Sequence, residues 1–128
     1  MDLVHEYYAL AKESTSYREK VSDATAAEKY NRCADRMAAI AAEIQRSFPE
    51  CRKAFFGLLL DNDSDIRLWV AHHILEYMND EPYCRKCALR EIRHRARRDH
   101  TACGFAEKLW LKEWYSRHPK DRWLSFIP

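Results

Sequence analysis

The chain has 128 residues, a formal net charge of +2, 47% apolar and 33% charged side chains. That describes one domain with material for a core, too near neutrality for a polycation. Two glycines, against about nine at average usage, exclude the Gly-rich bends of barrels, sandwiches, phosphate loops and dinucleotide folds.

Sixteen alanines outnumber the twelve Val, Ile and Thr residues combined. Alanine enters a helix at the lowest entropic cost, whereas β-branched residues suit strands, so the composition predicts an all-α fold. Residues 1–64 carry 9 basic and 11 acidic side chains, and residues 65–128 carry 13 and 9. The asymmetry is mild. No apolar run approaches the length of a membrane span. The start, Met1-Asp2-Leu3-Val4-His5-Glu6, has no basic or apolar leader region. Five cysteines, an odd number, fit reduced thiols in a cytoplasm better than a disulfide framework.

Apolar periodicity predicts about six helices joined by short connectors. The first spans about 2–14, with Leu3, Tyr7, Leu10 and Ala11 on one side. The second spans about 23–45, with a stripe of Ala27, Tyr30, Ala34, Met37, Ala41 and Ile44 at helical spacing. Ser47-Phe48-Pro49-Glu50 has the order of a capping box and predicts a third helix to about Leu60, burying Phe55, Phe56, Leu58 and Leu59. Asp61-Asn62-Asp63-Ser64-Asp65 is a cluster of turn and cap residues that starts a fourth helix to about Asn79. Pro82 starts a fifth, to about Arg98. Thr101 caps a sixth, which holds Phe105, Leu109, Trp110 and Trp114 and stops before Pro119. The tail 119–128 carries Trp123, Leu124, Phe126 and Ile127, too apolar for an idle end. Short loops make sequential helices neighbours, so six helices form three antiparallel hairpins.

Asp61, Ile66, Arg67 and Ala71 sit in the segment LLLDNDSDIRLWVA, which resembles the junction of a HEAT repeat. There a Leu-rich helix ends at an Asp, and the next opens with a β-branched residue and an Arg. An Arg one turn inside the helix can form a charge-assisted hydrogen bond to the turn. With residues 29–40 and the block Gly104–Trp114, the order over residues 2–116 is similar to a family of small bacterial HEAT-like proteins, defined only as a domain of unknown function. The second junction departs from the pattern: Asp99 is followed by Gly104-Phe105 in place of an aliphatic-Arg pair. The resemblance implies a single HEAT/armadillo-like stack of three antiparallel helical hairpins. Members near polymorphic-toxin loci imply an immunity protein that binds and neutralises a cognate toxin, without catalysis and without a cofactor.

The candidate chemistry is sparse. Cys84-Arg85-Lys86-Cys87 places two thiols on one helix face, where cations and a helix start favour a thiolate. No strand precedes it for a redox motif, and no second Cys pair completes a zinc set, so helical core cysteines and no metal are expected. An EF-hand on Asp61 would need Gly and Glu where Ile66 and His72 stand. Seven Lys and Arg lie between Arg85 and Arg98, with Glu91 the one acid among them. With Ala88, Leu89, Ile92 and Ala96 seating the helix, that charge is expected to project outward. It suits a solvated face, an acidic protein partner or nucleic acid. On the fourth helix, Ile66, Val70, Ile74, Leu75 and Met78 take the inward arc. Trp69, His72, His73 and Glu76 take the other, with the composition of a binding hot spot, although Trp69 equally suits packing on a neighbouring hairpin. The expected partner-binding set is therefore Trp69, His72, His73, Glu76, Arg93 and Arg97. The alternatives are a nucleic-acid binder using Arg85–Arg98 and, third, a HEAT-like DNA-processing enzyme.

Overall fold

The computed structural model describes residues 2–18, 20 and 22–124, and every regular element among them is helical. The helices are α1 (Leu3–Arg18), α2 (Ala24–Ser47), α3 (Arg52–Gly57), α4 (Ser64–Tyr77), α5 (Pro82–Arg98), α6 (Ala102–Arg117) and α7 (Pro119–Leu124). Single 3-10 turns, Pro49–Cys51 and Leu58–Leu60, flank α3. The chain divides into two compact units, residues 1–88 and 89–128.

In the first unit, α1 packs along α2, and α4 packs against both. Tyr7, Ala11, Met37, Ile40, Ala41, Ile44, Phe55, Ile66, Val70, Ala71, Ile74, Leu75 and Met78 are fully buried. The stripe of α2 lies slightly off the one its spacing predicts. Ala26, Cys33 and Ile40 are buried, while Ala27, Tyr30 and Ala34 are half-buried. A helix touched from two sides buries a wider arc than a single stripe. The capping box at Ser47 does not form: α2 runs on through Ser47, and no side chain caps the turn at Pro49. Of the four residues expected to bury the third helix, Phe55 is buried and Phe56, Leu58 and Leu59 are half-buried.

The acidic junction is built as caps. Asp23 and Asp63 accept hydrogen bonds from Thr25 N and Asp65 N at the starts of α2 and α4, satisfying donors that a helix end leaves open. The Asp61 carboxylate accepts from Asp63 N at 2.9 Å. Arg67 donates to the carbonyls of Asp61 at 2.7 Å and Asn62 at 3.2 Å. The expected Arg-to-turn bond is thus present and reaches the backbone of the turn. Two cations of α1 meet the same cluster: Lys12 on Asp63 at 3.0 Å and Arg18 on Asp65 through two bonds of 3.1 Å. Burial acts to raise the Asp63 carboxyl, but Lys12 and the Asp65 N–H outweigh it and hold it below its ordinary value.

In the second unit, Thr101 caps α6 by accepting from Cys103 N. A Cβ on Gly104 would lie 1.8 Å from the Asp99 carbonyl oxygen, so only glycine lets α6 begin this close to the preceding turn. The tail folds back as α7. Its Asp121 is buried and accepts a 2.7 Å bond from the indole Nε1–H of Trp114. The side chains of residues 123 and 124, and the whole of residues 126 and 127, lie outside what the structure describes.

Candidate functional site

The expected hot spot on α4 divides. His73 does not face outward: it is 5% exposed, lies 2.5 Å from the Tyr7 hydroxyl through Nδ1, and meets the Tyr7 ring edge-on. Burial, with the neighbouring His72 adding to it, pushes its pKa down to about 3, so the ring is neutral near pH 7. Trp69 is half-buried and stacks on His73 at 5.8 Å while meeting Tyr30 of α2 at the same distance. Packing on the neighbouring helix is therefore the reading that the geometry supports for Trp69. His72 is half-buried and Glu76 is exposed. The reason is positional: α1 and α2 both pack on α4, so the arc holding Trp69 and His73 has neighbours of its own.

The thiols at Cys84 and Cys87 are half-buried and unlinked. Burial, then Glu81, moves the Cys84 pKa up, opposite to what an activated thiolate needs. Among the described residues no group of three or more His, Cys, Asp or Glu side chains is arranged to hold a metal ion. No helix among them is long and apolar enough to cross a membrane.

Arg93 and Arg97 lie on a cleft of about 760 Å³ within the second unit. Its walls are Arg93, Ala96 and Arg97 of α5, Lys108, Leu111, Lys112, Tyr115 and Ser116 of α6, and Arg122 of α7. Five of these nine side chains are cationic and none is acidic. Helical spacing explains the convergence. Arg93 and Arg97 are one turn apart on α5, as are Lys108 and Lys112 on α6, with Tyr115 one turn further on. Ala96 and Leu111 are buried and supply an apolar floor.

Arg93 plays a different part from its neighbours. Its Nε donates to the Tyr115 hydroxyl at 2.8 Å, and its Nη2 donates to the Asp121 carbonyl at 2.9 Å. One guanidinium therefore braces α5, α6 and α7 around the cleft. Among the described residues Arg97, Lys108 and Lys112 form no ion pair, and all three are exposed. The charge of α5 does not all project outward as its spacing predicts. Besides Arg93, Arg95 is half-buried and sits 3.6 Å from Asp99.

Of the cleft residues, the sequence singles out Arg93 and Arg97 but not Lys108, Lys112, Tyr115 or Arg122. The i, i+4 lysine pair was the signal present in the sequence. It gained meaning only once α7 turned back to complete the wall.

Chemically, the cleft offers several cationic N–H donors above an apolar floor. Such a site holds carboxylate or phosphate oxygens, and guanidinium does so with paired donors. No protein-family model, curated protein or solved structure matches this chain.

Proposed function

We propose that this chain is a binding protein without catalytic activity, and that it engages an acidic stretch of a protein partner in the cleft between α5, α6 and α7. The observation that carries the reading is the charge balance there: five cations and no carboxylate around one concave, apolar-floored space. A concave surface lined by one sign of charge draws an anionic guest and steers its approach. His73, a conspicuous candidate for a general base, is instead occupied in the core by Tyr7. Two arginines of α5 are engaged by Tyr115, Asp121 and Asp99, which shortens the basic stripe available to a nucleic-acid duplex. The resemblance to small bacterial HEAT-like proteins adds the biological setting. There the partner is a cognate toxin, the chain is its immunity protein, and neutralisation takes place in the cytoplasm.

The cleft is tested with a fluorescent oligoglutamate peptide, an oligolysine control and a short DNA duplex, each titrated with the full chain. Oligoglutamate binds, oligolysine does not, and Arg97→Glu combined with Lys112→Glu abolishes the signal while the helical circular-dichroism spectrum persists. Tighter binding of the duplex, or peptide binding indifferent to the double reversal, overturns the reading. The immunity role is tested by co-expression with the product of the open reading frame directly upstream. Growth arrest that the chain relieves and the double variant does not is the supporting outcome. An upstream product that is harmless alone sinks it.

A further inference from the structure

Beside the cleft, α6 exposes two large apolar side chains, Phe105 at 62% and Leu109 at 54%. They stand one turn apart, and helical spacing places them next to Lys108 and Lys112, which line the cleft. The exposed side of α6 thus carries two parallel rows, one cationic and one apolar, each stepping by four residues or about 6 Å. Exposed apolar residues scattered singly need no explanation, but a row abutting an unpartnered cationic row forms one surface.

Resting on the proposed protein-binding role of the cleft, we infer that the partner segment is amphipathic, with carboxylates on Arg97, Lys108 and Lys112 and large apolar side chains beside them on Phe105 and Leu109. Charge complementarity selects the acidic row. The apolar row selects against a purely polar anion, which would leave Phe105 and Leu109 wet. A second copy of this chain is a poorer occupant. Its densest acidic run, Asp61–Asp65, is already engaged by Lys12, Arg18 and the α4 cap. Nucleic acid offers phosphates but no aliphatic row.

Two peptides of equal length and charge discriminate. In one, glutamates are interleaved with serines, and in the other with leucines placed so that Leu and Glu form adjacent rows on a helix. The full chain binds the leucine-bearing peptide about tenfold or more tightly, the scale set by withdrawing two side chains from water. Phe105→Ser combined with Leu109→Ser brings the two affinities together, with the melting temperature recorded to confirm a folded chain. Equal affinities in the wild-type chain overturn the apolar row and leave the acidic-partner reading standing. Failure of both peptides to bind overturns that reading itself. Concentration-dependent self-association of the chain, lost in the serine variant, would identify the second copy as the occupant and overturn the inference.

Discussion

The Tyr7 hydroxyl of α1 and Nδ1 of His73 on α4 lie 2.5 Å apart, with both side chains buried. They are 66 positions apart in sequence. The bond satisfies two polar groups that would otherwise be stranded in the core, and it orients the ring on which Trp69 stacks. Replacing Tyr7 by Phe removes one partner and should cost about 1–3 kcal/mol, read from urea unfolding.

The same histidine makes stability depend on pH. Its folded pKa of about 3 lies below the 6.5 of an unperturbed imidazole, so the unfolded chain binds the extra proton between those values. Stability is therefore complete above about pH 6.5 and falls as pH drops toward 3, by up to about 1.4 kcal/mol per pH unit. Urea midpoints at about pH 7.5 and about pH 5 should differ accordingly, and His73→Phe should narrow the difference. Glu6 and Asp63, whose pKa values are also lowered, act in the same direction, but only below the ordinary carboxylate range. A wild-type midpoint that stays constant over this window contradicts a buried neutral His73.

The two glycines should respond oppositely to alanine. Gly57 is exposed, has helical backbone angles of −60° and −22°, and nothing lies within 4 Å of the position an added methyl would take. Gly57→Ala should therefore stabilise by about 0.5–1 kcal/mol. At Gly104 the added carbon meets the Asp99 carbonyl, which is backbone and cannot rotate away. Gly104→Ala should destabilise by about 3 kcal/mol, the overpacking range. Thermal melts of the two variants shifting in the same direction would contradict this contrast.

Asp121 decides whether α7 stays docked. Asp121→Ala leaves the buried Trp114 indole N–H without its acceptor and should cost about 1–3 kcal/mol. Asp121→Asn keeps an amide oxygen at the site and should cost less. Because the Asp121 carbonyl also receives Arg93, undocking α7 should weaken oligoglutamate binding in the alanine variant. Unfolding and peptide titrations on the two variants check both effects.

Thiol chemistry should single out Cys33. Its sulfur is buried and donates to Glu13 at 3.1 Å, and burial, then Glu13, pushes its pKa up to about 11. Cys51, Cys84, Cys87 and Cys103 are half-buried. With a disulfide reagent near pH 8, Cys33 should be the last to react in the folded chain and should become ordinary in denaturant. Early labelling of Cys33, mapped by peptide mass, would contradict this placement.

What the sequence determined by itself was the local part of the architecture. Scarce glycine and abundant alanine select helices because both act through backbone entropy within each segment. Asp63 and Thr101 mark helix starts because a cap bonds only its own first turn. The bounds of α5 follow from Pro82 and the seating residues Ala88, Leu89, Ile92 and Ala96, all buried. The tertiary structure alone decided what depends on neighbours. Ser47 looked like a cap, but α2 continues through it. His73 looked outward, but α4 has α1 and α2 against it, and a helix packed on two sides no longer shows its buried arc as one stripe. The cleft gathers Arg97, Lys108, Lys112 and Arg122 from three helices, a convergence that no spacing within a single helix encodes.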